Sequence, residues 1–200
     1  MKLCDVHQRY ADYARKDAHH IAFYQEHLER YRHLPTRLLE LGVWRGGSLL
    51  MWQEWFGCQA MVRGVDSSNK QVVPPAVDLV HVGRQEDVAL LAAITNKYAP
   101  DGWDIVIDDC AHIAQNARAS FAALYPRLKS GGLYCIEDWG TGYWAHWPDG
   151  AAYTGAIHQA GMVGFVHELL DECAAMDHSK RPSTIRAMHA GLSIVILEKA

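Results

Sequence analysis

The chain has 200 residues, 50% hydrophobic and 21% charged, which is the composition of one folded domain. Its formal net charge of −4 and pI near 6.3 give no basic surface for nucleic acid or an anionic membrane. The first thirty residues lack the apolar stretch of a signal peptide, and no segment has the roughly 18 consecutive apolar residues of a membrane helix. Five scattered cysteines without a Cys-x-x-Cys pair indicate reduced thiols, so we expect a cytoplasmic protein.

The predicted elements begin with one amphipathic helix over residues 5–33, which Pro35 ends. Strands are then predicted at 37–41, 61–65, 77–82, 103–107 and 131–136, with helices at 48–56, 86–98, 115–128 and 158–175. Residues 184–188 and 192–197 predict a closing β-hairpin. We therefore expect a single domain over 1–200, with a helical segment at 1–34 and an α/β core at 35–200.

This alternation of strands and helices predicts a Rossmann-like sandwich, a mostly parallel sheet with helices on both faces and a C-terminal antiparallel hairpin. Ligands bind such sheets outside the carboxyl ends of the strands. The polar residues of this chain cluster at those predicted strand ends.

A glycine turn follows the first predicted strand, in the run Glu40-Leu-Gly-Val-Trp-Arg-Gly46. Gly42 lets the backbone turn sharply, and Gly46 lets it pass close to a ligand. The exposed amides near Ser48, at the start of the next helix, suit an anionic group. Asp66, at the end of the next strand, is placed to accept hydrogen bonds from ribose hydroxyls. Together these residues predict a cofactor that contains adenosine, although such a turn also serves packing alone.

Trp44 stands where a dinucleotide site needs its second glycine, so a pyrophosphate has no room against this backbone. The Glu-x-Gly-x-x-x-Gly pattern instead resembles the first motif of class I methyltransferases, whose cofactor is S-adenosylmethionine. The resemblance implies a class I methyltransferase fold. Arg84 replaces an acid of that pattern, so Gln85, Glu86 or Asp87 is left to contact the adenine. The implied cofactor-binding residues are Glu40, Gly42, Gly46, Ser48, Asp66, Gln85, Asp87 and Asp108.

Two acid pairs follow apolar strands, in Ile107-Asp-Asp-Cys-Ala-His112 and Ile136-Glu-Asp-Trp-Gly-Thr-Gly-Tyr-Trp144. If the two strands are neighbours they lie about 5 Å apart, and the converging carboxylates would repel one another. A divalent cation such as Mg²⁺ relieves that repulsion. The alternative is that the acids point into water or cap helices.

These runs resemble the metal-dependent sugar O-methyltransferases of macrolide biosynthesis, of the mycinamicin and macrocin type, over residues 15 to about 145. Lys16-Asp17, His19 or His20, and Tyr24 resemble the segment that leads into that domain. The resemblance implies that His112 is the catalytic base, and that the metal ligands are Asp109, Glu137 and Asp138.

The reaction itself supports a base at this place. An acceptor hydroxyl must lose a proton as it attacks the methyl group, and an imidazole beside a metal suits that task near neutral pH. Cys110 and Ala111 stand where the family has glycine and serine, in the turn that aims His112.

An aromatic stretch after the second acid pair predicts a lid over the acceptor at residues 139–153, with Tyr143, Trp144 and Trp147 contacting it. The expected acceptor is a small molecule with hydroxyl groups, a sugar or another natural product. Packing of these aromatic residues into the core is the competing interpretation. Homo-oligomerisation also stays open, because one small domain need not cover the aromatic N-terminal helix.

Two other functions remain open from the residues. Asp109, His112 and a second histidine would form the facial triad of a non-haem iron hydroxylase, although no second histidine has an obvious place beside the acids. A non-catalytic cofactor-binding module would keep the glycine turn and lose turnover.

Overall fold

The computed structural model describes residues 1–155, 158–174 and 183–200. Its strands are β1 (Arg37–Leu41), β2 (Met61–Asp66), β3 (Val80–Val82), β4 (Trp103–Asp108), β5 (Leu128–Glu137), β6 (Ile185–Gly191) and β7 (Ile194–Lys199). Its helices are α1 (Leu3–Tyr10), α2 (Ala18–Leu28), α3 (Gly47–Phe56), α4 (Val88–Tyr98), α5 (Ala114–Leu124) and α6 (Gly161–Ala174). Four short 3₁₀ segments are Glu29–Tyr31, Pro74–Leu79, Tyr125–Arg127 and Trp139–Tyr143.

The seven strands form one sheet in the order β3-β2-β1-β4-β5-β7-β6. β1 to β5 are parallel, and β7 pairs antiparallel with both β5 and β6. The expected mostly parallel sheet with a C-terminal antiparallel hairpin is therefore confirmed. The strand order changes direction between β1 and β4, which makes the crevice at their carboxyl ends the switch point of the sheet.

Apolar residues cover both faces of the sheet. On one face the odd-numbered residues Leu39 and Leu41 of β1 pack into a core with α4, α5 and α6, and Phe165 of α6 belongs to this core. On the other face Leu38 packs with α1, α2 and α3, including the fully buried Trp52. Alternate residues of a strand point to opposite faces, so β1 carries buried apolar residues at both kinds of position.

The single helix predicted over 5–33 is wrong. The structure has two helices, α1 and α2, separated by a turn at 11–13 and an irregular segment at 14–17. This segment crosses the glycine turn, where the Tyr13 carbonyl accepts a hydrogen bond from the Gly47 N–H at 3.0 Å. The Arg45 guanidinium also donates to the Asp12 carbonyl at 3.1 Å. These long-range contacts override the local helical periodicity of this stretch.

Two smaller expectations also need correction. The third strand is confined to Val80–Val82, because the prolines before it begin the 3₁₀ segment Pro74–Leu79. The closing hairpin turns at Leu192 and Ser193 rather than at 189–191, and Ser193 has φ +57°. No helix within the described ranges is long and apolar enough to cross a membrane.

Replacing Leu39 with alanine tests the central position of β1 in the core. Leu39 is 0% exposed and touches the cluster beneath α4, α5 and α6. The lost burial and the remaining cavity should lower the free energy of unfolding by about 2–5 kcal/mol, measured by urea denaturation. Leu192→Ala removes the same atoms from a side chain that is 73% exposed and should change stability little. Equal losses in the two variants would contradict this description of the core.

Candidate active site

A cavity of about 700 Å³ opens at the carboxyl ends of β1 to β4. Its wall consists of the residues that follow each of these strands, together with Tyr13 to Lys16 of the N-terminal segment. Among the predicted cofactor-binding residues, Gly42, Ser48, Asp66 and Gln85 line it. The cavity thus lies at the switch point, where the fold leaves room for a ligand.

Gly42 forms the closest approach in this wall. It has φ +82°, and a Cβ there would lie 2.0 Å from the carbonyl oxygen of Asp109. Gly46 also has a left-handed backbone, with φ +83°, but it packs on Ala76 and does not line the cavity. The two glycines are required by backbone geometry, and only Gly42 lies at the cavity itself.

Asp66 ties the glycine turn to the end of β2. Its Oδ2 accepts hydrogen bonds from the N–H groups of Val43 at 2.9 Å and Trp44 at 3.0 Å. Its Oδ1 accepts one from the Ser68 N–H at 3.1 Å. The Asp66 carboxylate therefore shapes the turn and also faces the cavity.

The remaining predicted cofactor residues lie away from the cavity wall. Glu40 is fully buried beneath it and accepts a hydrogen bond from the Ser48 hydroxyl at 2.6 Å. Asp87 occupies the N-cap of α4, where its side chain accepts from the Leu90 N–H at 3.0 Å. Asp108 is buried on the face of β4 that α5 covers, where the Ser120 hydroxyl donates a hydrogen bond to it. A cofactor role for Glu40, Asp87 and Asp108 remains a prediction.

A buried polar network surrounds Asp108. Its carboxylate accepts hydrogen bonds from Gln85 Nε2 at 3.0 Å, the Ser120 hydroxyl at 2.7 Å and the Tyr134 hydroxyl at 3.3 Å. Burial raises the pKa of Asp108, against the lowering effect of these hydrogen bonds. The Gln85 Oε1 also accepts from the Ala111 N–H at 3.0 Å. Gln85 therefore connects this network to the turn that carries His112.

That turn contains the two residues that depart from the family pattern. Ala111 uses its backbone N–H, which alanine and serine supply equally. Cys110 is partly buried, and burial raises the pKa of its thiol, so the thiol stays protonated at neutral pH. The departures leave intact the hydrogen bond that the Ala111 N–H of the turn donates to Gln85.

The acids after β4 and β5 meet around a lysine. The Lys16 ammonium lies 2.8 Å from Asp109 Oδ2, 2.5 Å from Glu137 Oε1 and 3.0 Å from Glu40 Oε1. Glu137 also accepts a hydrogen bond from the Tyr24 hydroxyl at 2.7 Å. The His20 Nδ1 lies 3.1 Å from Glu137 Oε2. The N-terminal segment and α2 therefore supply the partners of Glu137.

These surroundings shift the pKa values of Glu137 and Asp109 in opposite directions. Burial raises the pKa of Glu137, but Lys16 and the hydrogen bond from His20 outweigh it and hold the pKa well below the ordinary value. Burial and the charge of Glu137 raise the pKa of Asp109 well above its usual range, against the effect of Lys16. Burial lowers the pKa of Lys16, yet the surrounding carboxylates hold it well above normal. Glu137 and Lys16 are the firmly charged pair.

A second group faces away from Lys16. The His112 Nε2 lies 3.8 Å from Asp109 Oδ1 and 3.7 Å from Asp138 Oδ2, beyond direct hydrogen-bonding distance. One ligand atom from each of these three side chains falls within 4.8 Å of the others, which fits a metal ion between them. His112 and Asp138 have φ +50° and +52°, a backbone region rarely used by such residues except where the surrounding structure imposes it.

The three predicted metal ligands are thus divided between two neighbouring groups. Asp109 and Asp138 face His112, whereas Glu137 joins Asp109 and Glu40 around Lys16. Asp109 is the member common to both groups, with one oxygen directed to each. The predicted ligand set and the predicted base do lie together at the carboxyl ends of β4 and β5.

The predicted acceptor residues have three different environments. Trp147 donates its indole N–H to the His112 carbonyl at 2.8 Å. Trp144 is 45% exposed and stacks on His146, with ring centroids 5.7 Å apart. Tyr143 packs against His158. Trp147 therefore supports the His112 turn, and Trp144 is the most exposed of the three predicted acceptor residues.

A second cavity, of about 430 Å³, borders the acids from the N-terminal side. Its wall includes His7, Arg15 and Asp17, together with Glu137 and Asp138. Sequence reasoning gave these N-terminal residues no role. The only signal was the similarity of the segment at Lys16-Asp17 to the family, because nothing local shows that it folds over the acids.

No protein-family model matches the chain. Mycinamicin VI 2''-O-methyltransferase of Micromonospora griseorubida is 37% identical over 168 residues, which are 80% of this chain and 40% of the relative. Demethylmacrocin O-methyltransferase of Streptomyces fradiae is 39% identical over 128 residues, 60% of this chain and 32% of the relative. The chain thus spans less than half the length of these curated relatives.

Solved structures that resemble the chain are also methyltransferases. The MycE methyltransferase of the mycinamycin biosynthetic pathway, in complex with Mg, SAH and mycinamycin VI, aligns with a TM-score of 0.80 and 31% identity. The alignment covers 100% of this chain and 53% of that one. An O-methyltransferase from Bacillus cereus in complex with SAH, at TM-score 0.59 and 16% identity, shares the fold. The chain therefore has the class I methyltransferase fold, and over this region it is related in sequence to the sugar O-methyltransferases of the mycinamicin and macrocin type.

Proposed function

We propose that the chain is an S-adenosylmethionine-dependent O-methyltransferase that requires a divalent cation such as Mg²⁺. The proposed acceptor is a hydroxyl group on a sugar or another small natural product. The observation that carries the proposal is that Asp109 belongs to two parts of the site at once. It lines the cavity at the switch point and also belongs to the group with His112 and Asp138. Cofactor and acceptor chemistry would meet at this residue.

The cofactor would occupy the cavity over the glycine turn. Asp66 lies in its wall at the end of β2, where an acid can accept hydrogen bonds from ribose hydroxyls. The N–H groups of α3 begin beside Gly46 and favour a carboxylate. Gly42, Ser48 and Gln85 are the other proposed contacts, and the relatives that carry SAH in their structures support this assignment.

The proposed metal ligands are Asp109, Glu137 and Asp138. Asp109 and Asp138 already face one another across His112, and Glu137 adjoins Asp109 through Lys16. Carboxylate oxygens are the ligands that Mg²⁺ prefers. A divalent cation held there would supply Lewis-acid stabilisation of the acceptor oxygen.

His112 is the proposed base. As the acceptor oxygen attacks, a new O–C bond forms, the S–C bond of the cofactor breaks, and the hydroxyl proton passes to the imidazole. The electron pair of the broken bond stays on sulfur, which leaves as the neutral thioether. Trp147 and Thr141 both donate hydrogen bonds to the His112 carbonyl, at 2.8 and 3.3 Å, and thereby hold the turn that aims the ring.

The aromatic residues 143–147 are proposed to contact the acceptor. Trp144 offers an exposed ring of the kind that stacks on sugars, while Trp147 packs edge-on against it and Tyr143 packs against His158. The iron alternative needs two histidines beside a carboxylate. Within the described residues, the group that contains Asp109 and Asp138 offers one histidine.

Titration calorimetry with S-adenosylhomocysteine tests the cofactor site. We expect micromolar-range binding, on the order of −8 kcal/mol. Asp66→Ala should weaken binding by roughly tenfold or more, because a charged acceptor in the wall and the support of the turn are both lost. Asp78→Ala, at an exposed acid of the following 3₁₀ segment, is the matched control. Absence of binding to folded wild-type protein would contradict the proposed function.

Replacing His112 with asparagine tests the proposed base. An acceptor would first be found by screening glycosylated and phenolic natural products with Mg²⁺. We expect kcat to fall by roughly 10²–10⁴, while S-adenosylhomocysteine affinity stays close to that of wild type. His189→Asn, on β6, should leave kcat unchanged. Equal kcat in the two variants would exclude His112 as the base, and cofactor binding without turnover of any acceptor would favour the non-catalytic module.

A further inference from the structure

Lys16 is a buried charged residue at the site that has no role in the proposed reaction. Its side chain is 1% exposed, and its ammonium lies within 3.0 Å of one oxygen from each of Glu40, Asp109 and Glu137. The ammonium donates hydrogen bonds to Asp109 and Glu137 and forms a third ion pair with Glu40. Lys16 therefore occupies the centre of the buried acids.

The backbone determines that position. The segment before Lys16 lies directly on the glycine turn, where a Cβ on Gly47 would be 2.4 Å from the Tyr13 carbonyl carbon. The hydrogen bond from Gly47 to the Tyr13 carbonyl and the one from Arg45 to the Asp12 carbonyl fix the segment there. Lys16 is thus delivered to the acids by a segment that is itself part of the cofactor cavity.

Asp109 links Lys16 to the group that faces the acceptor. Its Oδ2 accepts the hydrogen bond from Lys16, while its Oδ1 lies on the side of His112. A positive charge on one oxygen of a carboxylate weakens the attraction of the other oxygen for a cation. Whatever binds between Asp109, His112 and Asp138 therefore competes electrostatically with Lys16.

We propose that Lys16 is a resident counter-cation, a positioning residue that holds Asp109 and Glu137 in place without metal and sets how tightly the site binds a divalent cation. The proposal rests on the proposed metal-dependent function. In this arrangement the acids are assembled before metal arrives, and their affinity for it is moderated. Without Lys16, the carboxyl groups of Glu40, Asp109 and Glu137 would lie together without the positive charge that they share, and a divalent cation would become the main source of compensation.

Lys16→Met tests this role, because it keeps most of the length of the side chain and removes its charge. Thermal unfolding in EDTA should give a lower midpoint than wild type, and added Mg²⁺ should raise the midpoint of the variant more than that of wild type. Electron paramagnetic resonance titration with Mn²⁺ should show binding tighter by roughly a factor of ten or more. Lys2→Met, at an exposed lysine of the same N-terminal region, is the matched control and should behave as wild type.

One outcome would contradict the counter-cation role of Lys16, and another would contradict the proposed metal dependence. If Lys16→Met lowers the midpoint equally with and without Mg²⁺, and binds Mn²⁺ no more tightly than wild type, Lys16 is only structural and the counter-cation role is wrong. If wild-type protein binds no Mn²⁺ at all, the proposed metal dependence is wrong, whatever the variant does. Methyl transfer is not needed for either readout.

A double variant keeps the test decisive where Lys16→Met does not fold in EDTA. Lys16→Met combined with Glu137→Gln removes one negative charge together with the positive one. We expect the double variant to unfold at a higher temperature than Lys16→Met in EDTA, and to lose the gain in Mn²⁺ affinity. A double variant no more stable than the single one would contradict the electrostatic origin of the effect.

Discussion

The close approach of β1 and β4 at Gly42 is the constraint on which the site depends. A side chain at this position would collide with the Asp109 carbonyl, 2.0 Å from a Cβ. The same edge is tied together by the hydrogen bond from the Asp109 N–H to the Leu41 carbonyl at 2.9 Å and from the Gly42 N–H to the Val65 carbonyl at 2.8 Å. The glycine turn, the end of β2 and the acids after β4 therefore form one rigid wall, and the cavity and the acid group share it.

Burial of charge is the second organising feature. Four acids lie at the ends of β4 and β5, and each has a different environment. Asp108 is buried among neutral hydrogen-bond donors such as Gln85 and Ser120, and these lower its pKa less than burial raises it. Glu137 faces Lys16, which holds its pKa low. Neighbouring carboxylates acquire different proton affinities because their partners differ, and such division is typical of sites that combine several chemical roles.

Much of the site could be predicted because its signals are local. The glycine run from Glu40 to Gly46, Asp66 at a strand end and the two acid pairs each depend on turn chemistry within a few residues. The environment of Trp147 could not be predicted in this way. Its indole N–H donates a hydrogen bond to the carbonyl of His112, 35 residues away along the chain, and no local pattern in the aromatic stretch indicates that contact.

The sequence by itself determined most of the strands, their polar ends and the glycine turn, because side-chain periodicity and glycine geometry act over short distances. Only the tertiary structure decided which face of the sheet each acid occupies. Asp108 and Asp109 point to opposite faces as neighbours on an extended chain, but the segments that pack beside each face, one after β3 and one before α2, decide which acid meets Gln85 and which meets Lys16. The break between α1 and α2, which brings Lys16 to the acids, likewise results from contacts with a glycine turn far along the chain.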